Sequence, residues 1–165
     1  MDSEKPQNET SLVLGVLRDE AATRALGVRL AALVQPGDAI FFEGGLGAGK
    51  TALARALVQA FKPEEEVPSP TFTLVQTYEG PGFEIAHLDL YRVESPDELW
   101  ELGWADLGQG LLLVEWPGRL GDLPRPADRL EILLEPGPVP ESRRVRIEGF
   151  GRWRERVAGI VEEKA

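Results

Sequence analysis

One stretch of this chain combines the residue types and spacing needed to hold phosphate. Phe41-Phe42-Glu43-Gly44-Gly45-Leu46-Gly47-Ala48-Gly49-Lys50-Thr51 spells, from Gly44, the Walker A pattern G-x-x-x-x-G-K-T. Glycines let a backbone turn its N–H groups inward around phosphate oxygens, where side chains would block them. A helix starting at the end of the loop presents its N-terminus to the anion. Lys50 supplies a flexible cation for the β- and γ-phosphates, and Thr51 a hydroxyl for Mg²⁺. Gly45, Leu46, Gly47, Ala48 and Gly49 are therefore expected to wrap a nucleotide, with Lys50, Thr51 and Ala52 beside it at the helix start.

Two carboxylates lie where they can complete that chemistry. Leu111-Leu112-Leu113-Val114-Glu115-Trp116-Pro117 reads as a buried strand ending in an acid, a Walker B arrangement in outline. Ligands of open α/β sheets sit at the carboxyl ends of strands, so Glu115 is expected near a metal held by Thr51. The plainer alternative is a strand-end carboxylate that is solvated or paired. In Phe83 to Arg92, alternation sets His87, Asp89 and Tyr91 on one face of a strand. Asp89 has two roles open to it: binding Mg²⁺ through water or polarising the attacking water, against a simple ion pair with an arginine such as Arg92. His87 reads as a hydrogen-bonded structural residue. Thr71, just after Ser69-Pro70, is a candidate hydroxyl for a loop that senses the γ-phosphate. Trp116 either covers the phosphate site or packs the sheet edge.

The elements that must position these groups follow from patterning. Asp38-Ala39-Ile40-Phe41-Phe42 reads as a short buried strand before the loop, and Ala54, Leu57, Val58 and Phe61 share one helical face after it. A helix is predicted from about Asp19 to Leu33, stopped by Pro36-Gly37. The charged, proline-broken Lys62–Pro70 segment is a loop. Thr71–Tyr78 and Phe83–Arg92, separated by Gly80-Pro81-Gly82, predict an antiparallel hairpin. Ser95-Pro96-Asp97-Glu98 is a capping box that starts a short helix ended by Gly103, with Trp100 and Trp104 read as packing residues. Strands are predicted at Asp128–Leu134 and Arg143–Ile147, and a closing helix from Phe150 to about Glu163. Residues 1–10 are polar and aperiodic and are expected to form a disordered tail.

Composition narrows the function classes. The 165 residues suffice for one domain with a real core, and no linker divides residues 1–165. There is no cysteine, hence no disulfide framework and no thiolate metal site. No apolar run reaches membrane-spanning length and no signal-peptide core is present, so no membrane partner and a cytoplasmic location are expected. The net charge of −10 disfavours strong unaided binding to nucleic acid, whereas a preorganised loop and a metal can hold ATP in an acidic protein. Arg143, Arg144, Arg146, Arg152, Arg154 and Arg156 form a basic island, read either as a salt-bridged face or as a contact surface for a partner or RNA.

The ordered set Gly44…Gly49-Lys50-Thr51, Ser69-Pro70-Thr71-Phe72, His87-Leu88-Asp89-Leu90-Tyr91-Arg92 and Val114-Glu115-Trp116-Pro117 resembles the TsaE (YjeE) family. The resemblance spans about Asp19 to Pro117. It implies a small P-loop ATPase of bacterial tRNA threonylcarbamoyladenosine synthesis that binds ATP with Mg²⁺ and hydrolyses it slowly. It further implies association with a TsaB–TsaD complex, and with tRNA only indirectly through that complex. By position, Lys50 would contact phosphate, Thr51 and Glu115 the metal, Asp89 would support hydrolysis, Thr71 would lie in the switch-like loop and Trp116 beside the nucleotide. One position departs from the pattern: Gly45 stands where family members often carry Asp, which removes any water-positioning carboxylate there.

The expectation is thus an α/β, P-loop NTPase-like three-layer sandwich, its sheet mostly parallel with an antiparallel hairpin. Two other functions fit a P-loop. A small-molecule kinase needs an arginine-bearing lid and an acceptor pocket, and only Arg119 and Arg125 are candidates, so no small-molecule acceptor is expected. A non-catalytic module would use its nucleotide state only to gate partner binding.

Overall fold

Two apolar runs decide the centre of the molecule. Ala39–Glu43 (β2) and Leu111–Glu115 (β5) are buried through their apolar residues on both faces, the condition for strands covered on two sides. The computed structural model describes residues 10–68 and 73–161, and in it these two strands pair in parallel. Arg129–Pro136 (β6) adds in parallel beside β2, and Glu84–Asp89 (β4) in parallel beside β5. Val75–Glu79 (β3) closes one edge as the predicted antiparallel hairpin on β4. The other edge is a second antiparallel block: Arg143–Gly149 (β7) on β6, then Thr10–Leu17 (β1) on β7. The sheet order is β1-β7-β6-β2-β5-β4-β3, so the centre is parallel and both edges are antiparallel.

Strand alternation divides the core in two. Ile40, Phe42, Leu111 and Leu113 pack with Leu26 and Leu30 of helix α1 (Glu20–Leu33), Leu57 of α2 (Lys50–Phe61) and Trp153 of α5 (Trp153–Val161). Ala39, Phe41, Leu112 and Val114 face the other way, onto Leu99 of α3 (Pro96–Glu101), Trp104 of α4 (Trp104–Leu107) and Leu120 of a 3₁₀ turn at Pro117–Leu120. Helices on both faces of one sheet make the expected three layers. Asp19 caps α1, its Oδ1 accepting from the Ala22 N–H at 3.0 Å. Among the described residues no helix is long and apolar enough to cross a membrane.

Several boundaries differ from the sequence expectation. Residues 1–9 lie outside the described residues, but Thr10 opens β1, a strand that patterning did not predict. Ser69–Phe72, with the candidate switch residue Thr71, also lies outside them. β3 begins only at Val75, because Leu74 takes a left-handed φ of 73° that breaks the extended run. β4 ends at Asp89 rather than Arg92. There the Asp89 carboxylate accepts the Tyr91 N–H at 3.0 Å, a local bond that replaces the ladder. Tyr91 therefore lies beyond the strand that carries His87 and Asp89. The capping box is also modified: the Ser95 hydroxyl accepts from Asp97, but the Glu98 carboxylate reaches the N–H of Glu94. The closing helix starts at Trp153, after a turn through Gly151 at φ 62°.

Candidate nucleotide site

The Walker segment folds as its sequence requires. β2 delivers the chain to Gly44, whose φ is 147° and where a Cβ would come within 2.5 Å of the Leu134 carbonyl oxygen. Only glycine fits so close to the neighbouring strand. The loop tightens through Ala48 N–H donating to the Gly45 carbonyl at 3.1 Å, and Gly49, left-handed at φ 104°, turns the chain into α2. The N-terminus of α2 and the ends of β4 and β5 border one cavity of about 410 Å³.

Lys50 is the buried cation of this cavity. Its Nζ donates to the Gly44 and Gly45 carbonyls at 2.8 and 2.7 Å and lies 4.0 Å from the centre of the Trp116 ring. Burial pushes the Lys50 pKa below the ordinary lysine value, and the nearby Glu115 and Asp89 partly oppose that shift.

Glu115 lies at the centre of the polar constellation. Its two carboxylate oxygens accept the Thr51 hydroxyl at 2.8 and 3.0 Å, and Oε2 is 2.7 Å from His87 Nε2. Glu115 is 2% exposed and His87 fully buried. With a carboxylate as acceptor, Nε2 carries the proton, and the buried Nδ1 has no hydrogen-bond partner among the described residues. The arrangement follows from register. β4 and β5 run parallel with Asp89 opposite Glu115 and His87 opposite Leu113, so all three polar side chains emerge on the α2 face. Asp89 is buried beside them.

Trp116 follows Glu115 with a left-handed φ of 61°, uncommon for a bulky residue, and opens the 3₁₀ turn. That backbone twist brings its ring over Lys50 and to 4.9 Å from the Tyr91 ring. Trp116 both lines the cavity and packs against the core layer that holds Phe41 and Val114.

The cavity walls include Leu46–Ala52, Asp89, Glu115 and Trp116. Gly45 is not a wall; it contributes its carbonyl to Lys50 and Ala48. Tyr91 and Arg92 also line the cavity; sequence reasoning noted both in the His87–Arg92 run but did not assign either to the site. The kinase-lid candidates are occupied elsewhere: Arg119 donates to the Val93 carbonyl, and Arg125 to those of Gly121 and Leu123.

The arginine island disperses in three dimensions. Arg152 and Arg156 clasp the buried Asp38 at 2.9 and 2.6 Å, at the opposite end of β2 from the loop. Arg144 and Arg146 are exposed on β7. Arg143 reaches the phosphate loop itself, at the carbonyls of Ala48 and Gly47. A salt-bridged surface accounts for Arg152 and Arg156; nothing in the sequence marked Arg143 as different.

A profile described as "Threonylcarbamoyl adenosine biosynthesis protein TsaE" matches residues 17–145. Curated relatives named tRNA threonylcarbamoyladenosine biosynthesis protein TsaE include one from Rickettsia felis, 43% identical over 61% of this chain. Others come from Bacillus subtilis, 37% identical over 68% of this chain and 71% of its own, and Nostoc sp., 34% identical over 81% and 84%. The chain spans about 60% of the length of the Rickettsia felis relative. The crystal structure of Bacillus subtilis YdiB superposes with a TM-score of 0.71 at 25% identity, covering 96% of this chain and 97% of the other.

Proposed function

The chain belongs to the TsaE family, and from that premise we propose that it binds ATP with Mg²⁺ and hydrolyses it slowly, in support of the threonylcarbamoyl modification of tRNA adenosine beside the anticodon. In this reading it acts with a TsaB–TsaD complex and meets tRNA only through it. The observation that carries the ATPase reading is the convergence of Lys50, Thr51, Glu115 and Asp89 on one cavity at the end of the Walker loop.

The donor set fits Mg²⁺. Thr51 and Glu115 offer adjacent hard oxygens, and this ion takes few protein ligands and leaves the rest to phosphate and water. When bound, the ion would neutralise charge on the β- and γ-phosphates during transfer to water.

The chain's own groups supply positioning. The Lys50 ammonium exchanges its two loop carbonyls for phosphate oxygens, which carry full negative charge. His87 holds one oxygen of Glu115, fixing the carboxylate's orientation toward Thr51. Asp89, opposite Glu115 in register and lining the same cavity, would orient the attacking water. Trp116 and Tyr91 wall the site against solvent. Phosphoryl transfer asks little covalent work of a protein, so this arrangement suffices in kind.

The test is ATP turnover measured with the protein alone, with a TsaB–TsaD pair, and with tRNA added. Weak turnover alone and stimulation by the pair are expected. ATP binding without turnover in every arm would leave a nucleotide-gated interaction module, and absence of ATP binding would refute the site.

A further inference from the structure

Arg143 opens β7, far in sequence from the Walker loop, yet its guanidinium reaches that loop with two hydrogen bonds. Nε donates to the Ala48 carbonyl at 2.8 Å and Nη2 to the Gly47 carbonyl at 3.0 Å. The third nitrogen, Nη1, donates to the carbonyls of Pro140 and Ser142, 2.8 and 2.7 Å away. Each of these acceptors is a neutral carbonyl, so the bonds leave the guanidinium's positive charge intact. Contact is close as well as polar: a Cβ on Gly49 would meet Arg143 Nε at 3.5 Å.

The base of this arginine is rigid. The turn between β6 and β7 closes on the buried Ser142, whose hydroxyl accepts the Val139 N–H at 3.1 Å and donates to the Val139 carbonyl at 2.8 Å. Gly137 N–H adds a bond to the Ser142 carbonyl at 3.1 Å. Arg143 therefore fastens a stiff hairpin to the loop.

In a trans peptide the carbonyl and the following N–H point in opposite directions. Holding the Ala48 carbonyl from outside therefore orients the next N–H, that of Gly49, toward the other side of the loop, while holding the Gly47 carbonyl fixes the plane whose Ala48 N–H closes the loop onto the Gly45 carbonyl at 3.1 Å. An anion in the loop depends on N–H groups aimed in this way. The planar guanidinium suits the task, since two of its nitrogens can meet two carbonyls at once, which a lysine ammonium on a flexible stem does not reproduce.

Resting on the ATP-binding reading above, we propose that Arg143 is a positioning residue for the phosphates: it fixes the peptide planes of Gly47–Ala48 and Ala48–Gly49 and places a permanent positive charge behind the loop.

The test compares equilibrium binding of ATP, ADP and adenosine, each with Mg²⁺, to wild type, Arg143→Gln and Arg143→Lys, with thermal unfolding of each protein without ligand. Arg143→Gln is expected to weaken ATP about tenfold, ADP by a similar factor and adenosine less than twofold. Arg143→Lys, which keeps the charge but not the fork, is expected about threefold weaker than wild type for ATP. A purely structural role would lower the melting temperature and weaken all three ligands alike, and that pattern overturns the proposal. ATP affinity within twofold of wild type in both variants also overturns it. Should Arg143→Gln not fold, the Arg143→Lys ratio of ATP to adenosine affinity decides alone. Failure of wild type to bind ATP would instead refute the nucleotide site.

Discussion

Replacing Glu115 separates its chemical role from its structural one. The carboxylate accepts the Thr51 hydroxyl and lies 2.7 Å from His87 Nε2. Glu115→Ala takes the carboxylate partner from the buried His87 donor, at about 1–3 kcal/mol, and deletes a charge-assisted bond to Thr51 that solvent in the cavity partly recovers. Relief of the desolvated carboxylate beside Asp89 offsets part of this. The balance is a loss of about 2–4 kcal/mol, a fall in Tm of roughly 5–15 °C, against a total stability of about 8–15 kcal/mol for a chain of this size. Glu115→Gln keeps the volume and one acceptor, and should cost about 1–2 kcal/mol. Both variants should still fold, yet Glu115→Gln should lower Mg²⁺-dependent ATP turnover about a hundredfold, the scale of removing one preorganised electrostatic contact. The assays are thermal unfolding without ligand and single-turnover hydrolysis over a Mg²⁺ titration. Wild-type turnover with unchanged Mg²⁺ dependence in Glu115→Gln would refute the metal assignment. A Glu115→Ala protein melting within about a degree of wild type would refute the stated worth of the Thr51 and His87 bonds.

Other consequences follow from the same geometry. Because burial lowers the Lys50 pKa, ATP affinity should fall with rising pH earlier than an ordinary lysine would allow, while stability without ligand rises through the same window, since the unfolded chain binds the proton more tightly there. Parallel trends in a pH titration of binding and of urea unfolding would contradict this, and Lys50→Ala should abolish productive ATP binding or turnover. Gly44→Ala should destabilise the fold by about 2 kcal/mol or more, because its Cβ meets the Leu134 carbonyl at 2.5 Å, whereas Gly45→Asp should shift stability by less than about 0.5 kcal/mol, a Cβ there meeting nothing within 4 Å. Melting curves of the two variants check the contrast, and turnover by Gly45→Asp measures what a carboxylate at that position adds. Asp38→Ala removes the shared partner of Arg152 and Arg156 from a buried position and should cost about 3 kcal/mol in urea unfolding while leaving ATP affinity unchanged.

Local chemistry was readable along the chain. The Walker loop, the helix after it, the periodic run of α1 and the buried strand ending at Glu115 are each written in contiguous residues, because glycine spacing and periodicity act over a few positions. The hairpin β3–β4 was readable for the same reason, though its limits were not: the Asp89 side chain and the left-handed Leu74 cut it short. β1 escaped notice because an edge strand gains its meaning from pairing with β7, residues more than a hundred positions away. Tertiary structure alone decided the rest of the site. Parallel register set Asp89 opposite Glu115 and brought His87 to the same carboxylate, and a left-handed turn swung Trp116 over Lys50. It also split the arginine run, sending Arg152 and Arg156 to Asp38 and Arg143 to the back of the phosphate loop. A guanidinium on a distant strand finds its carbonyls only once the sheet order is complete, and no spacing rule in one dimension encodes that meeting.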